Sequence, residues 1–541
     1  MTLFVRSSLC LLRCARRTAT SMAVGKASEG SEPGFIDSPV TQKTRGLAAV
    51  LRSGCLITEI LQKNKKIEDS QWASLRQDLL DRSLCREVNV DAKISDICLY
   101  YRKLDEVLSY FKFLKGNNYN LNLTIKGTYL RMFHVRQKPL TKEEEDEILS
   151  IYDGIRKQHS ILDAKTATDC ALALSHTKRW KDAFELVDMI KITSDVKSTV
   201  PSALIVAALR NNDEKLAWKL LNDYEQNQAQ PYVYKEYLGF CLRNFVGEKL
   251  LEQVEKIFYF WRVNDVQPQK YVIQEYVDLY KSLGYPVNYT KILQRASHGH
   301  CCCCNYQLQP TTLSPTDFKV LSVSILKLIV VGENLYAGTT PEELQKYRHF
   351  IKNMKPYDVV IDGLNVAYVG SESRRGKLET ILEAIEMIQK NGKKRILVFG
   401  RTHMKYWCPT SMKQIMQQAD TFFVQNASQD DPFLLHLSII SGHDTYFVSN
   451  DLMRQHKAKL RDPSLKRLFK RWQLSRQYYF KKLERSFGLT LVSPMKFQVN
   501  AQNDGNGWHI PYSESRELML PDKYEVPETW VCLKTKKSKD R

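Results

Sequence analysis

The chain has 541 residues, 43% of them apolar, enough for about three domains with a core each. Eighty lysines and arginines against 60 aspartates and glutamates leave a formal net charge of +20, which points to a polyanionic partner, nucleic acid or an acidic membrane surface. No run of 18 or more apolar residues occurs, so the sequence offers no membrane span.

Residues 1–28 carry Arg6, Arg13, Arg16 and Arg17 among Ser, Thr, Leu and Val, and the first acidic residue is Glu29. An acid-poor, arginine-bearing segment able to form a basic amphipathic helix is the pattern of a mitochondrial presequence, which predicts the matrix as destination. A disordered basic tail is the alternative. Residues 29–85 read as linker and N-terminal extension, rich in Gly, Ser, Pro and Glu at the start.

From 86 to 292 the pattern is helical and it repeats. Glu106-Val-Leu-Ser-Tyr-Phe, Glu147-Ile-Leu-Ser-Ile-Tyr, Asp182-Ala-Phe-Glu-Leu-Val, Leu216-Ala-Trp-Lys-Leu-Leu and Gln253-Val-Glu-Lys-Ile-Phe align at Val107, Ile148, Ala183, Ala217 and Val254. Those positions are 41, 35, 34 and 37 residues apart, the period of an α-solenoid built from helical hairpins. The period does not separate peptide-binding tetratricopeptide repeats from RNA-binding pentatricopeptide repeats. The basic surplus and the nuclease-like half that follows favour RNA; a protein-binding solenoid is the other reading.

His298-Gly-His-Cys-Cys-Cys-Cys follows. Of 13 cysteines nine are scattered and four stand together at Cys301–Cys304, a distribution that favours a metal site over disulfides in a reducing compartment. Cys301 and Cys304 have the spacing of a Cys-x-x-Cys knuckle, and a structural Zn²⁺ needs two ligands more. Cys302, Cys303, His298 and His300 leave the register open.

From about 356 strand-like and helix-like runs alternate. Asp358–Ile361, Arg395–Phe399, Thr421–Val424, Thr445–Ser449 and Leu489–Val492 read as strands, with helical patterns at Lys377–Gln389, Ser411–Gln418 and Pro432–Ser441. That alternation predicts a doubly wound parallel sheet with ligands beyond the carboxyl ends of its strands. Asp362, Asp430, Asp431 and Asp451 fall at strand–helix junctions. Singly, each has an ordinary explanation as a turn or cap residue. Jointly they present acid toward one crevice, and clustered carboxylates repel unless a divalent cation binds. Mg²⁺ prefers oxygen ligands, and a pair of such ions about 4 Å apart can drive in-line phosphodiester cleavage. Asn365 is placed to orient a ligand, and His456 to touch a phosphate or water. From Arg454 to Arg485 there are 12 Lys/Arg and two acids, read as a basic helix with Lys466, Lys470 and Arg471 off its apolar face, a surface for phosphates.

Asp-Gly-Leu-Asn at 362–365, Gln-Asp-Asp at 429–431 and Ser-Asn-Asp-Leu-Met-Arg at 449–454 resemble the metallonuclease (NYN, PIN-like) domain of protein-only ribonuclease P, and with the repeats and presequence the resemblance covers nearly all of the chain. It implies an α + α/β fold: an N-terminal α-solenoid of pentatricopeptide-type hairpins (86–292), a zinc-binding bridge (293–312 with 499–541) and a doubly wound nuclease domain (313–498). It implies an endoribonuclease that removes the 5′ leader of mitochondrial precursor tRNA by two-metal-ion hydrolysis, leaving a 5′-phosphate on the tRNA. Its catalytic residues would be Asp362, Asp430, Asp431, Asp451 and His456, with the four aspartates as ligands of Mg²⁺ or Mn²⁺. Asn365 and Arg454 would contact substrate. Trp508-His509-Ile510-Pro511 and Trp530-Val531-Cys532 match the family's closing contexts, so Zn²⁺ would be held by Cys301, Cys304, His509 and Cys532. Gln455 stands where an Asp is expected, and Asn305 where a glycine is usual. Animal mitochondrial members work with a tRNA methyltransferase subunit and a short-chain dehydrogenase subunit. The rival readings are a nuclease of this type acting on other transcripts and a non-catalytic RNA-binding repeat protein.

Overall fold

A computed structural model describes residues 54, 56–62, 66–136, 138–223, 229–294, 299–327, 339–370, 373–393, 395–425, 431–482, 489–515 and 527–535. The presequence read at 1–28, His298 and Asp430 lie outside them. The chain divides into two compact units, 1–195 and 196–541.

In the first unit the helices are α1 (Asp69–Asp81), α2 (Glu87–Tyr100), α3 (Leu104–Gly116), α4 (Leu123–Arg136), α5 (Lys142–Gln158), α6 (Ala164–Leu174) and α7 (Ala183–Thr193). Local chemistry sets their ends. Thr141 and Glu144 form a capping box at the start of α5, glutamates 143–145 fill its first turn, and Arg156 and Lys157 its last, the order that suits the helix dipole. Ile148, Tyr152 and Ile155 then make one buried stripe. The first helices of successive hairpins, α2, α4 and α6, stack on one another, which is why α6 is buried nearly all round. Helical packing begins ahead of residue 86: Trp72 on α1 lies 4.8 Å from the Tyr110 ring, and Arg76 Nε donates to Asp91 at 2.9 Å. Asp91 also accepts from the Tyr110 hydroxyl at 2.6 Å, so this buried charge is paired and hydrogen-bonded.

The second unit opens with α8 (Thr199–Arg210), α9 (Glu214–Asp223), α10 (Pro231–Asn244, with proline in its first turn), α11 (Gly247–Val263) and α12 (Lys270–Ser282). The repeated positions Val107, Ile148, Ala183, Ala217 and Val254 all sit on the second helix of a hairpin, none more than 3% exposed. The repeat period therefore reports burial between paired helices.

Next comes a four-stranded antiparallel sheet of order β1-β10-β9-β8, from β1 (Val287–Lys291), β8 (Gln502–Asn503), β9 (Gly507–Pro511) and β10 (Thr529–Lys534). It takes in β1, ahead of residue 293. Between β1 and β8 the chain makes the other layer structure. There α13 (Pro315–Ile325), α14 (Pro341–Asn353), α15 (Gly363–Gly370), α16 (Arg374–Lys390), α17 (Pro409–Gln418), α18 (Asp431–Ser441), α19 (Arg454–Lys459) and α20 (Pro463–Arg476) accompany a six-stranded sheet of order β4-β3-β2-β5-β6-β7. Its strands are β2 (Val359–Asp362), β3 (Ile396–Arg401), β4 (Asp420–Val424), β5 (Tyr446–Val448), β6 (Gln477–Lys482) and β7 (Leu489–Val492), all parallel but β7. Val359 and Ile361 face one apolar core and Val360 the other, so β2 is buried on both faces, as its unbroken β-branched run requires.

One element differs from the sequence reading. The basic helix ends at Arg476, and Gln477-Tyr-Tyr-Phe continues as β6, parallel to β5 and antiparallel to β7. Neither glycine nor proline marks the change; the aromatic residues are what fit a pleated, half-buried surface there. Among the described residues no helix is long and apolar enough to cross a membrane.

Candidate active site and thiol cluster

β2 pairs with β3 on one side and β5 on the other. The connections run outward through β3 and β4 and then return to β5, so strand order reverses between β2 and β5. Such a reversal opens a crevice at the carboxyl ends of the strands. Asp362 is the last residue of β2, and Asp451 lies just past β5.

The two are joined by Ser449. Its hydroxyl donates to Asp362 Oδ2 at 3.0 Å and accepts from the Asp451 backbone N–H at 3.1 Å. Asp362 Oδ1 accepts the Asn365 backbone N–H at 3.0 Å, while Asn365 Oδ1 accepts that of Asn450 at 2.7 Å. Asp451 turns its Oδ1 to the Met453 N–H at 2.6 Å, and Met453 takes the left-handed conformation (φ 50°) before α19. Gln477 Nε2 donates to the carbonyls of Ser449 and Asp451 at 2.6 and 2.8 Å. The unforeseen strand β6 thus props the loop that carries Asp451. Ser449 stood in the quoted Ser-Asn-Asp motif without a role, and Gln477 gave no signal at all.

Asp431 is the first residue of α18, which packs on β2. Arg454 and Gln455 are exposed on α19. His456 is buried, and its imidazole is held below its usual pKa by that burial and then by Lys459, with Asp451 opposing. A histidine in that position is neutral at physiological pH.

The basic surface is smaller than its sequence suggested. Lys470 Nζ pairs with Asp265 Oδ2 at 3.0 Å, and Arg471 donates to the Thr312 carbonyl at 3.1 Å, so both are half-buried and help to hold α20 in place.

The thiol cluster is built by a turn and a strand pair. Asn305 N–H donates to Cys301 O at 2.7 Å and Cys301 N–H to Tyr306 O at 2.9 Å, with Asn305 in the left-handed region (φ 60°) that asparagine tolerates. Cys301 and Cys304 are thereby turned to one side. Across β9 and β10, His509 and Cys532 are direct partners in the register. The ligand atoms of Cys301, Cys304, His509 and Cys532 lie within 4.8 Å of one another. Cys304 Sγ is 3.0 Å from His509 Nε2 and 3.8 Å from Cys532 Sγ. Two sulfurs bound tetrahedrally to one zinc stand about 3.8 Å apart, so the donor set fits that ion. A hydrogen bond from Cys532 is the main cause that drives the Cys301 thiol down to about 3. Cys302 and Cys303 point outward and are exposed, and His300 bridges in the backbone to Gln307.

Residues 296–532 match the family model described as Protein-only RNase P. A relative named mitochondrial ribonuclease P catalytic subunit from Mus musculus is 27% identical over 492 residues, 87% of this chain and 79% of the relative. Its namesake from Rattus norvegicus is 28% identical over 489 residues, with the same coverage of 87% and 79%. The solved structure of nuclear proteinaceous RNase P 2 from A. thaliana aligns at a TM-score of 0.37 and 16% identity, over 92% of this chain and 99% of that one. Over residues 296–532 the chain therefore carries a domain of the Protein-only RNase P family.

Proposed function

We propose that this chain is a metal-dependent endoribonuclease of the mitochondrion that cuts the 5′ leader from precursor tRNA and leaves a 5′-phosphate on the mature end. The observation that carries this reading is the acidic crevice at the reversal of strand order, with Asp362 and Asp451 tied through Ser449, inside a domain of this family. A basic chain suits the substrate's charge.

Asp362, Asp430, Asp431 and Asp451 supply only oxygen donors, the set that suits Mg²⁺ or Mn²⁺. Cations held by these carboxylates would supply charge neutralisation at the phosphate and a lowered pKa for the attacking water. The chain's own residues do the orienting. Ser449 and the Asn365 N–H fix both oxygens of Asp362, and the Gln477 amide holds the loop of Asp451. The neutral His456 offers a hydrogen bond to a water or phosphate, and the exposed Arg454 guanidinium a pairing with the RNA backbone. Asn365 would orient the substrate. Cys301, Cys304, His509 and Cys532 would hold a structural Zn²⁺, the helices of 86–292 would bind RNA, and the methyltransferase and short-chain dehydrogenase subunits would be partners.

The test is cleavage of a 5′-labelled mitochondrial precursor tRNA with Mg²⁺, with and without those two subunits. Wild type should give one cut at the mature 5′ end. Asp362→Asn should lower the rate at least about a hundredfold while RNA still binds. Cuts elsewhere that need Asp362 would indicate a nuclease for other transcripts, and binding without cutting by wild type would indicate a repeat protein without catalysis.

A further inference from the structure

On α15, the start of α16 and the turn after β3 lies a group of side chains that neither the acidic crevice nor the thiol cluster uses. Tyr368 on α15 is 60% exposed, and Trp407, just after the 3-10 turn Thr402–Tyr406, stands with its ring 6.2 Å from it at 85°. Lys377 at the start of α16 reaches over both, with Nζ 3.8 Å from the Tyr368 ring centre and 5.5 Å from that of Trp407. His403 closes the group at 5.4 Å from Trp407. Among the described residues no carboxylate pairs with Lys377.

The placement follows from two glycines. A Cβ on Gly363 would meet Met404 Cε at 3.1 Å and the Phe399 carbonyl at 2.9 Å, and one on Gly400 would meet Met404 Sδ at 2.5 Å. Met404 fills the space that both leave, and so pins the turn carrying His403 and Trp407 against the residue that follows Asp362. Tyr368 stands six positions after Asp362 in sequence, on the helix that begins at the next residue. Trp407 packs partly on the core, but Tyr368 buries too little to be explained by the core.

Exposed aromatic rings beside an unneutralised ammonium are the means by which proteins hold unpaired nucleotides: the ring stacks on the base and the cation meets the phosphate. We propose that Tyr368, Trp407 and Lys377 form a stacking platform for an unpaired nucleotide of the leader, next to the scissile phosphate. The proposal rests on the ribonuclease reading above. The leader side is chosen because the first nucleotide of a mature tRNA is paired in its acceptor stem, whereas the leader offers free base faces. The platform would select single-stranded leaders over paired ones and seat the scissile phosphate at Asp362.

The experiment places 2-aminopurine at the leader nucleotide just 5′ of the cut, and a second probe in the acceptor stem. The full chain is used, alone and with both partner subunits, with Ca²⁺ in place of Mg²⁺ to hold the uncut complex. Binding by wild type should quench the leader probe. Tyr368→Ala and Trp407→Ala should remove most of that quenching, whereas Tyr368→Phe and Trp407→Phe keep it and the stem probe responds equally in all. The ratio of affinities for leader-bearing and leaderless tRNA should fall roughly tenfold in the alanine variants. Unchanged leader quenching in Tyr368→Ala, with wild type cutting at the mature 5′ end, would overturn the platform alone. A wild type that neither binds nor cuts precursor tRNA would overturn the ribonuclease reading and the platform together.

Discussion

At the scale of single residues, the candidate site depends on a hydroxyl. Ser449 is fully buried and holds Asp362 on one side and the backbone of Asp451 on the other. Groups that orient metal ligands are typically worth 10- to 100-fold in affinity or rate. Ser449→Ala should therefore raise the Mg²⁺ concentration needed for half-maximal cleavage about tenfold or more, with little change in RNA affinity, as a metal titration would read. Asp169 poses a different problem. It is 1% exposed on α6, neither oxygen has a hydrogen-bond partner among the described residues, and Arg131 comes only to 3.5 Å. Burial pushes its carboxyl from the ordinary 3.8 up to about 6. The folded state thus holds this proton more tightly than the unfolded chain. Its effect on stability is absent below about 4, grows unfavourable as pH rises, and is complete above about 6. Asp169→Asn should add up to about 3 kcal/mol of stability at pH 7.5, read as a higher melting temperature, and leave stability nearly unchanged at pH 4. Melting curves at the two pH values check both halves.

At the scale of elements, Gly507 decides whether the thiol cluster exists. A Cβ there would fall 2.0 Å from the Leu533 carbonyl, inside the β9–β10 pair that sets Cys532 opposite His509. Gly507→Ala should break that pairing and abolish the zinc binding proposed for the cluster, seen as loss of about one metal equivalent by elemental analysis. What the sequence disclosed varied with the element. Strand β2 was legible because Val359, Val360 and Ile361 form an unbroken β-branched run closed by Asp362-Gly363. Strand β6 was not, since Arg476 passes into Gln477 without a breaker and the preceding basic residues keep helical spacing. The five aligned repeat positions were legible because each hairpin buries the same point. The choice of Cys301 and Cys304 over Cys302 and Cys303 could not be read from four adjacent cysteines alone. It follows from the turn at Asn305 and from strands whose partners are distant in sequence. Of the acidic residues, Asp362 and Asp451 were legible as strand ends, but Ser449 and Gln477 gain meaning only when β5 and β6 lie side by side.

At the scale of the molecule, residues 196–541 knit helices, bridge and nuclease sheet together through polar contacts as well as cores. Lys470 reaches Asp265 in the turn after α11, Asn500 donates to the Arg262 carbonyl at 3.3 Å, and Gln267 to that of Val499 at 3.2 Å. A partly exposed ion pair such as Lys470–Asp265 contributes about 0–1 kcal/mol. Lys470→Ala should hence alter RNA affinity less than about twofold, whereas Arg467→Ala, at an exposed position of the same helix, should weaken binding and reduce the salt slope by about one. Binding measured across a salt series separates the two.

The bridge sheet has one more consequence. Strand β10 enters between β1 and β9, yet Lys291 and Thr529 are 238 positions apart, with the whole nuclease sheet between them. At typical synthesis speeds of about 5–20 residues per second, β1 waits roughly 12 to 48 s for its neighbour. For most of that interval Cys301 and Cys304 are already made while His509 and Cys532 are not. The newborn chain thus carries a half-built chelate, and its last closure is a step that translation itself delays.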